Sequence, residues 1–98
     1  MKLDWTLIAL EDYNDCIEYV EKKFSEKDVF KFIQKMDHTL GLIASNPYTF
    51  PQSDYRDVRF VVVIKPITIF YTIPDQKTVQ IIRIWNNRKE KNETKIKK

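Results

Sequence analysis

The residues of this chain best suited to chemistry lie in the segment Val79-Gln80-Ile81-Ile82-Arg83-Ile84-Trp85-Asn86-Asn87-Arg88-Lys89-Glu90. It opens as an apolar, β-branched run, the composition of a strand buried in a sheet. Arg83 interrupts that run. Burying an unpaired guanidinium is costly, so Arg83 must face solvent, an anion or a cleft. A mid-strand arginine with a basic, amide-rich exit at Asn86, Arg88 and Lys89 is a phosphate-binding arrangement, because the arginine fork takes two phosphate oxygens at once. The plainer alternative is an arginine paired with a carboxylate at the edge of the sheet, with the following cations solvated.

Other chemistries find little support. One glycine in 98 residues argues against a glycine-rich phosphate loop. The lone Cys16 permits no internal disulfide and reads as a small core residue. The lone His38 falls in a helical pattern, so neither a His/Cys metal cluster nor a hydrolase triad can be assembled. No metal or other cofactor is expected. Glu11, Asp12, Asp15, Glu18 and Glu21 read as the wet face of a helix. No apolar run approaches the ~18 residues of a membrane span, and the opening Met-Lys-Leu-Asp-Trp is not a signal segment, so a cytoplasmic protein is expected. Charge is divided unevenly. Residues 1–50 hold six Lys/Arg against nine Asp/Glu, net −3, and residues 51–98 hold eleven against five, net +6. Such an imbalance suits an anionic partner on one side.

The elements that must position these residues follow from periodicity. Leu3 and Trp5 alternate in a short first strand. Ala9, Tyr13, Cys16, Ile17, Val20 and Phe24 then fall at helical spacing. Ser25 with Asp28 three residues on marks a second helix start. That helix carries Val29, Phe32, Ile33, Met36, Leu40 and Ile43 and ends before Pro47. Residues 46–57 read as a loop. Strands are predicted over 58–64, 67–73 and 78–85, joined by short turns as an antiparallel meander. The expected fold is α+β in the order β-α-α-β-β-β, with the helical hairpin on one face of a mainly antiparallel sheet. Residues 1–90 form one domain, and 91–98 a basic solvated tail. Strict alternation puts Ile82 and Ile84 under the helices and Arg83 and Trp85 on the open face. Arg59 shares that open surface if its strand is oriented likewise.

Several segments in this order resemble the RelE/ParE superfamily of bacterial toxins. They are Lys2-Leu3-Asp4-Trp5 with the early Ala9, the helix exit Ile43-Ala44-Ser45-Asn46-Pro47, Arg59 opening a strand, Ile67-Thr68-Ile69-Phe70-Tyr71, and Ile81-Ile82-Arg83-Ile84 with Asn86 and Arg88-Lys89. The resemblance implies a toxin neutralised by a cognate antitoxin. It acts either as a ribosome-dependent endoribonuclease on messenger RNA or as an inhibitor of DNA gyrase without enzymatic activity. A scaffold that only binds its antitoxin is a third reading. RNA cleavage by the 2′-hydroxyl needs a base, an acid and cations on the crowded phosphorane. The matching positions assign those cations to Arg59 and Arg83, and Asn86 stands where many relatives carry a histidine. Lys65, Trp85, Arg88 and Lys89 would bind RNA, Trp85 by stacking on a base and the cations through phosphate.

Overall fold

The computed structural model describes residues 1–87. Its elements are β1 (Lys2–Trp5), α1 (Leu7–Lys23), α2 (Glu26–Ser45), β2 (Arg59–Ile64), β3 (Ile67–Asp75) and β4 (Thr78–Asn86). This is the expected α+β order. Arg88, Lys89 and the basic tail over 91–98 lie outside the described residues.

Side-chain caps set the helix starts. Thr6 accepts from the Ala9 amide at 3.0 Å and so caps α1. Ser25 accepts from the Asp28 amide at 3.3 Å, and its hydroxyl donates to the Asp28 carboxylate at 3.0 Å. The second helix stops at Asn46, where the chain before Pro47 leaves helical geometry. Ala9, Cys16 and Val20 of α1 and Phe32, Met36, Leu40 and Ile43 of α2 bury against one face of the sheet. That face supplies Ile67, Ile69, Tyr71, Val79, Ile81 and Ile84. Lone Cys16 is in this core, and His38 is exposed on α2.

The sheet order is β1-β4-β3-β2. The meander β2-β3-β4 is antiparallel as expected, and β1 adds to β4 in parallel, with Leu3 beside Val79 and Trp5 beside Ile81. The apolar runs of β3 and β4 therefore hold the centre, where neighbours on both sides satisfy their backbone groups.

Ile82 departs from simple alternation, and the strand of Arg59 is oriented opposite to that of Arg83. Phe70 pairs with Arg83 while Tyr71 pairs with Ile81, so Ile82 is an extra residue in β4. This bulge reverses the alternation locally. Ile81 and Ile84 are in the core, and Ile82 is half-buried on the open face beside Arg83. Arg59 pairs with Tyr71, whose side chain is in the helix-covered core, whereas Phe60 pairs with Phe70 and so shares the face of Arg83. Arg59 and Arg83 thus leave the sheet on opposite faces.

Candidate functional site

The short length of β1 determines the surroundings of Arg83. Beyond Trp5 the chain turns into α1, so the second half of β4 has no described strand on that side. Groups of α1 take over the strand's role. The Thr6 amide donates to the Ile81 carbonyl at 3.0 Å, and the Thr6 hydroxyl to the Ile82 carbonyl at 3.0 Å. Asp12 Oδ2 accepts from the Ile84 amide at 3.0 Å. The same carboxylate takes Arg83 in a two-point grip, Nε to Oδ2 at 2.8 Å and Nη2 to Oδ1 at 3.1 Å. The Asp12 side chain is only 15% exposed and that of Arg83 38%, so water screens the pair incompletely. Asp12 is therefore turned into the sheet edge, not to the wet face expected for it. The helical phase carries the signal. Asp12 lies three residues after Ala9 and four before Cys16, both buried. Asp57, the carboxylate nearest Arg59 in sequence, has a φ of 62° in an exposed loop and lies 3.9 Å from Arg56.

Around Arg83 the open face is aromatic. The guanidinium carbon lies 5.8 Å from the centre of the Trp85 ring, Trp85 meets Phe70 edge-on at 5.2 Å, and Phe70 lies 6.3 Å from Phe60. Trp85 is half-buried, and its indole Nε1 has no hydrogen-bond partner among the described residues. Tyr55, Val58, Phe70, Ile82, Arg83 and Trp85 line a cleft of about 280 Å³. That is near the lower end of the roughly 300–1,000 Å³ typical of small-molecule sites, a size suited to one ring or one large side chain. Apart from Arg83 and Trp85, none of these lining residues was marked as functional by the sequence.

The remaining candidates lie elsewhere. Arg59 donates from Nη1 to the carbonyls of Phe50 at 2.6 Å and Tyr48 at 3.3 Å, and its guanidinium lies 5.5 Å from the Tyr48 ring centre. It fastens the 46–57 loop to the start of β2. Nearby, the Tyr71 hydroxyl donates to the Pro47 carbonyl from within the core. Burial raises the Tyr71 pKa, and the Arg59 charge opposes that rise. Asn86 is buried and pairs with Ile67, which puts it on the helix-covered side. Lys65 is exposed in the β2–β3 turn. The structure therefore brings Arg83 and Trp85 together and separates Arg59, Asn86 and Lys65 from them.

No imidazole stands on the open face, since the one histidine is on α2. Among the described residues no group of three or more His, Cys, Asp or Glu could hold a metal ion. No described helix is long and apolar enough to cross a membrane. The arrangement can grip a flat or branched apolar group against aromatic walls beside a cation.

Known proteins place this geometry in a family. A family model described as the ParE toxin of type II toxin-antitoxin system, parDE, matches residues 3–90. The chain belongs to the ParE toxin family. No curated protein matches this ParE-family chain in sequence. Among solved structures, it is similar to a chain of the chromosomal ParDE system from P. aeruginosa, with a TM-score of 0.73 at 20% identity, covering 88% of this chain and 95% of that one. A YoeB/ParE toxin from Agrobacterium tumefaciens aligns with a TM-score of 0.60 at 14% identity, covering 86% and 95%. The E. coli DinJ-YafQ toxin-antitoxin complex aligns with a TM-score of 0.59 at 12% identity, covering 90% and 93%. At these identities the likeness is one of fold.

Proposed function

We infer that this toxin acts by binding its target and not by cutting RNA, that the target is DNA gyrase, and that a cognate antitoxin neutralises it. The observation that carries this reading is the state of the two arginines. Arg83 presents its fork to Asp12 and the β4 edge, and Arg59 is tied to backbone carbonyls on the other face. A crowded phosphorane needs cations converging on one point. Two guanidiniums on opposite faces of a sheet do not converge, and no imidazole accompanies them for proton transfer. Both contacts are instead what the sheet edge and the long loop need in order to hold their shape.

The test uses the purified full chain in two assays. In a gyrase supercoiling assay it should inhibit supercoiling, and adding the antitoxin should restore it. In a purified translation system, primer extension on translated message should show no new cuts. Cuts in codon register on translated message, with gyrase unaffected, would instead establish the ribosome-dependent endoribonuclease and return Arg59, Arg83 and Asn86 to a catalytic role, with Lys65, Trp85, Arg88 and Lys89 on the RNA.

A further inference from the structure

Lysines on α2 stand where the helix's own electrostatics disfavour them. Lys27, Lys31 and Lys35 follow at four-residue intervals, and all are exposed. Side chains four apart on a helix are neighbours, so this spacing sets like charges beside one another. All three lie in the N-terminal half of α2, and Lys27 is in its first turn, at the positive end of the helix dipole. Lys22 and Lys23 of α1 differ, because they occupy a last turn, which favours cations. None of the three α2 lysines is in an ion pair among the described residues. Asp28 borders the row, but its carboxylate already accepts from the Ser25 hydroxyl. Glu26 falls about 100° round the helix from Lys27. Asp37 lies on the flank toward α1, where its charge helps raise the Tyr13 pKa. Exposed Gln34 and His38 continue the lysine face along the helix.

Charge and shape select the partner. At about 1.5 Å of rise per residue, the row from Lys27 to Lys35 runs straight for about 12 Å. A nucleic-acid duplex carries one phosphate charge about every 1.7 Å of its axis, so phosphates meet such a row in any register. Lysines take phosphate as point charges, which gives contact without sequence preference. Single strands are held on aromatic platforms, and this row contains no aromatic residue. A helix lying in a membrane surface puts its apolar face into the lipid, but that face of α2 is buried against the sheet.

We propose that the lysine row of α2 binds the phosphate backbone of the duplex DNA on which gyrase works. The inference rests on the gyrase reading above and adds to it a direct contact with the nucleic acid.

The test titrates a short fluorescent DNA duplex with the purified full chain across a salt series. Each phosphate contact contributes about −0.9 to the slope of log affinity against log salt. Lys27→Gln with Lys31→Gln and Lys35→Gln should therefore flatten that slope by about 2–3. Between 50 and 200 mM salt the unaltered chain should lose about fortyfold more affinity than this variant. Glutamine forms helix about as well as lysine, so α2 should stay intact. Lys2→Gln with Arg56→Gln and Lys77→Gln removes equal charge elsewhere and should leave the slope near its original value. Arginine in the row, as Lys27→Arg with Lys31→Arg and Lys35→Arg, should retain it. Equal slopes in the row variant and the charge control, both with native circular dichroism spectra, would overturn the proposal. So would failure of the unaltered chain to bind the duplex at low salt, or tighter binding to a single strand or to duplex RNA. Supercoiling assays on the same proteins separate this inference from the reading it rests on. DNA binding through the row in a protein that never inhibits gyrase leaves the row standing and removes gyrase as the target. Gyrase inhibition by a protein whose row variant binds DNA like the control leaves the target standing and removes the row.

Discussion

At the scale of single residues, Asp12 and Arg83 are the most informative pair in the molecule. Removing a carboxylate that accepts from both a strand amide and a guanidinium takes a hydrogen-bond acceptor from each. Asp12→Ala should lower unfolding stability by about 1–3 kcal/mol, as expected for donors stripped of their acceptor, measured by urea titration. Arg83→Ala should cost less, because its side chain is more exposed. A double-mutant cycle between the two should show clear coupling. A phosphate-binding Arg83 would behave otherwise: its removal would abolish toxicity and leave the stability unchanged. Tyr71 carries a second expectation. Burial raises its pKa, and burial raises that of Tyr13 as well, aided by Asp37 and Cys16. The unfolded chain loses these protons near the ordinary value of 10.0 while the native protein keeps them. Stability is then fully present below pH 10 and falls as pH climbs through the raised values. In Tyr71→Phe the alkaline loss should be shallower. Stability at neutral pH should also be lower by about 1 kcal/mol, because the Pro47 carbonyl loses its donor.

At the scale of elements, α1 completes the sheet that β1 leaves unfinished. Thr6 is the joint, since one hydroxyl caps the helix and donates to β4. Thr6→Val keeps the shape and removes both bonds. It should destabilise the protein by about 1–2 kcal/mol, in the range of a lost N-cap, and speed hydrogen exchange at Ala9 before the rest of α1. The bulge at Ile82 is the other decisive element feature. It lets one strand put Ile81 and Ile84 into the core and still present Ile82, Arg83 and Trp85 to the cleft on the far face.

At the scale of the whole molecule, the charge imbalance has a simple origin. Most of the positive excess of the second half resides in residues 88–98, which contribute a net +4. Replacing their six Lys and Arg with glutamine takes the net charge from +3 to −3. The thermal midpoint should move little, because these substitutions leave the core residues named above untouched. Association with an anionic partner should slow by about tenfold or more at low salt, with the difference shrinking as salt rises. Stopped-flow association across a salt series checks both statements.

Much of the architecture was legible in local pattern. The helix limits, the cap at Ser25, the stop before Pro47 and the three-strand meander depend on residues close together in the chain, so periodicity and turn chemistry reveal them. The buried Cys16 and the exposed His38 follow from the same helical phase. Tertiary structure alone decided the partner of β1, the bulge in β4 that turns Ile82 to the open face, and the pairing of Arg59 with Tyr71 that turns Arg59 away from Arg83. A strand's face reverses with a single extra residue, and nothing in the run Ile81-Ile82-Arg83-Ile84 says where that residue is inserted. The fate of Arg83 was likewise set across a separation of 71 residues by Asp12. Composition shows that a guanidinium in a strand needs a partner. Only the packing of α1 against the edge of β4 shows that the partner is already within the chain.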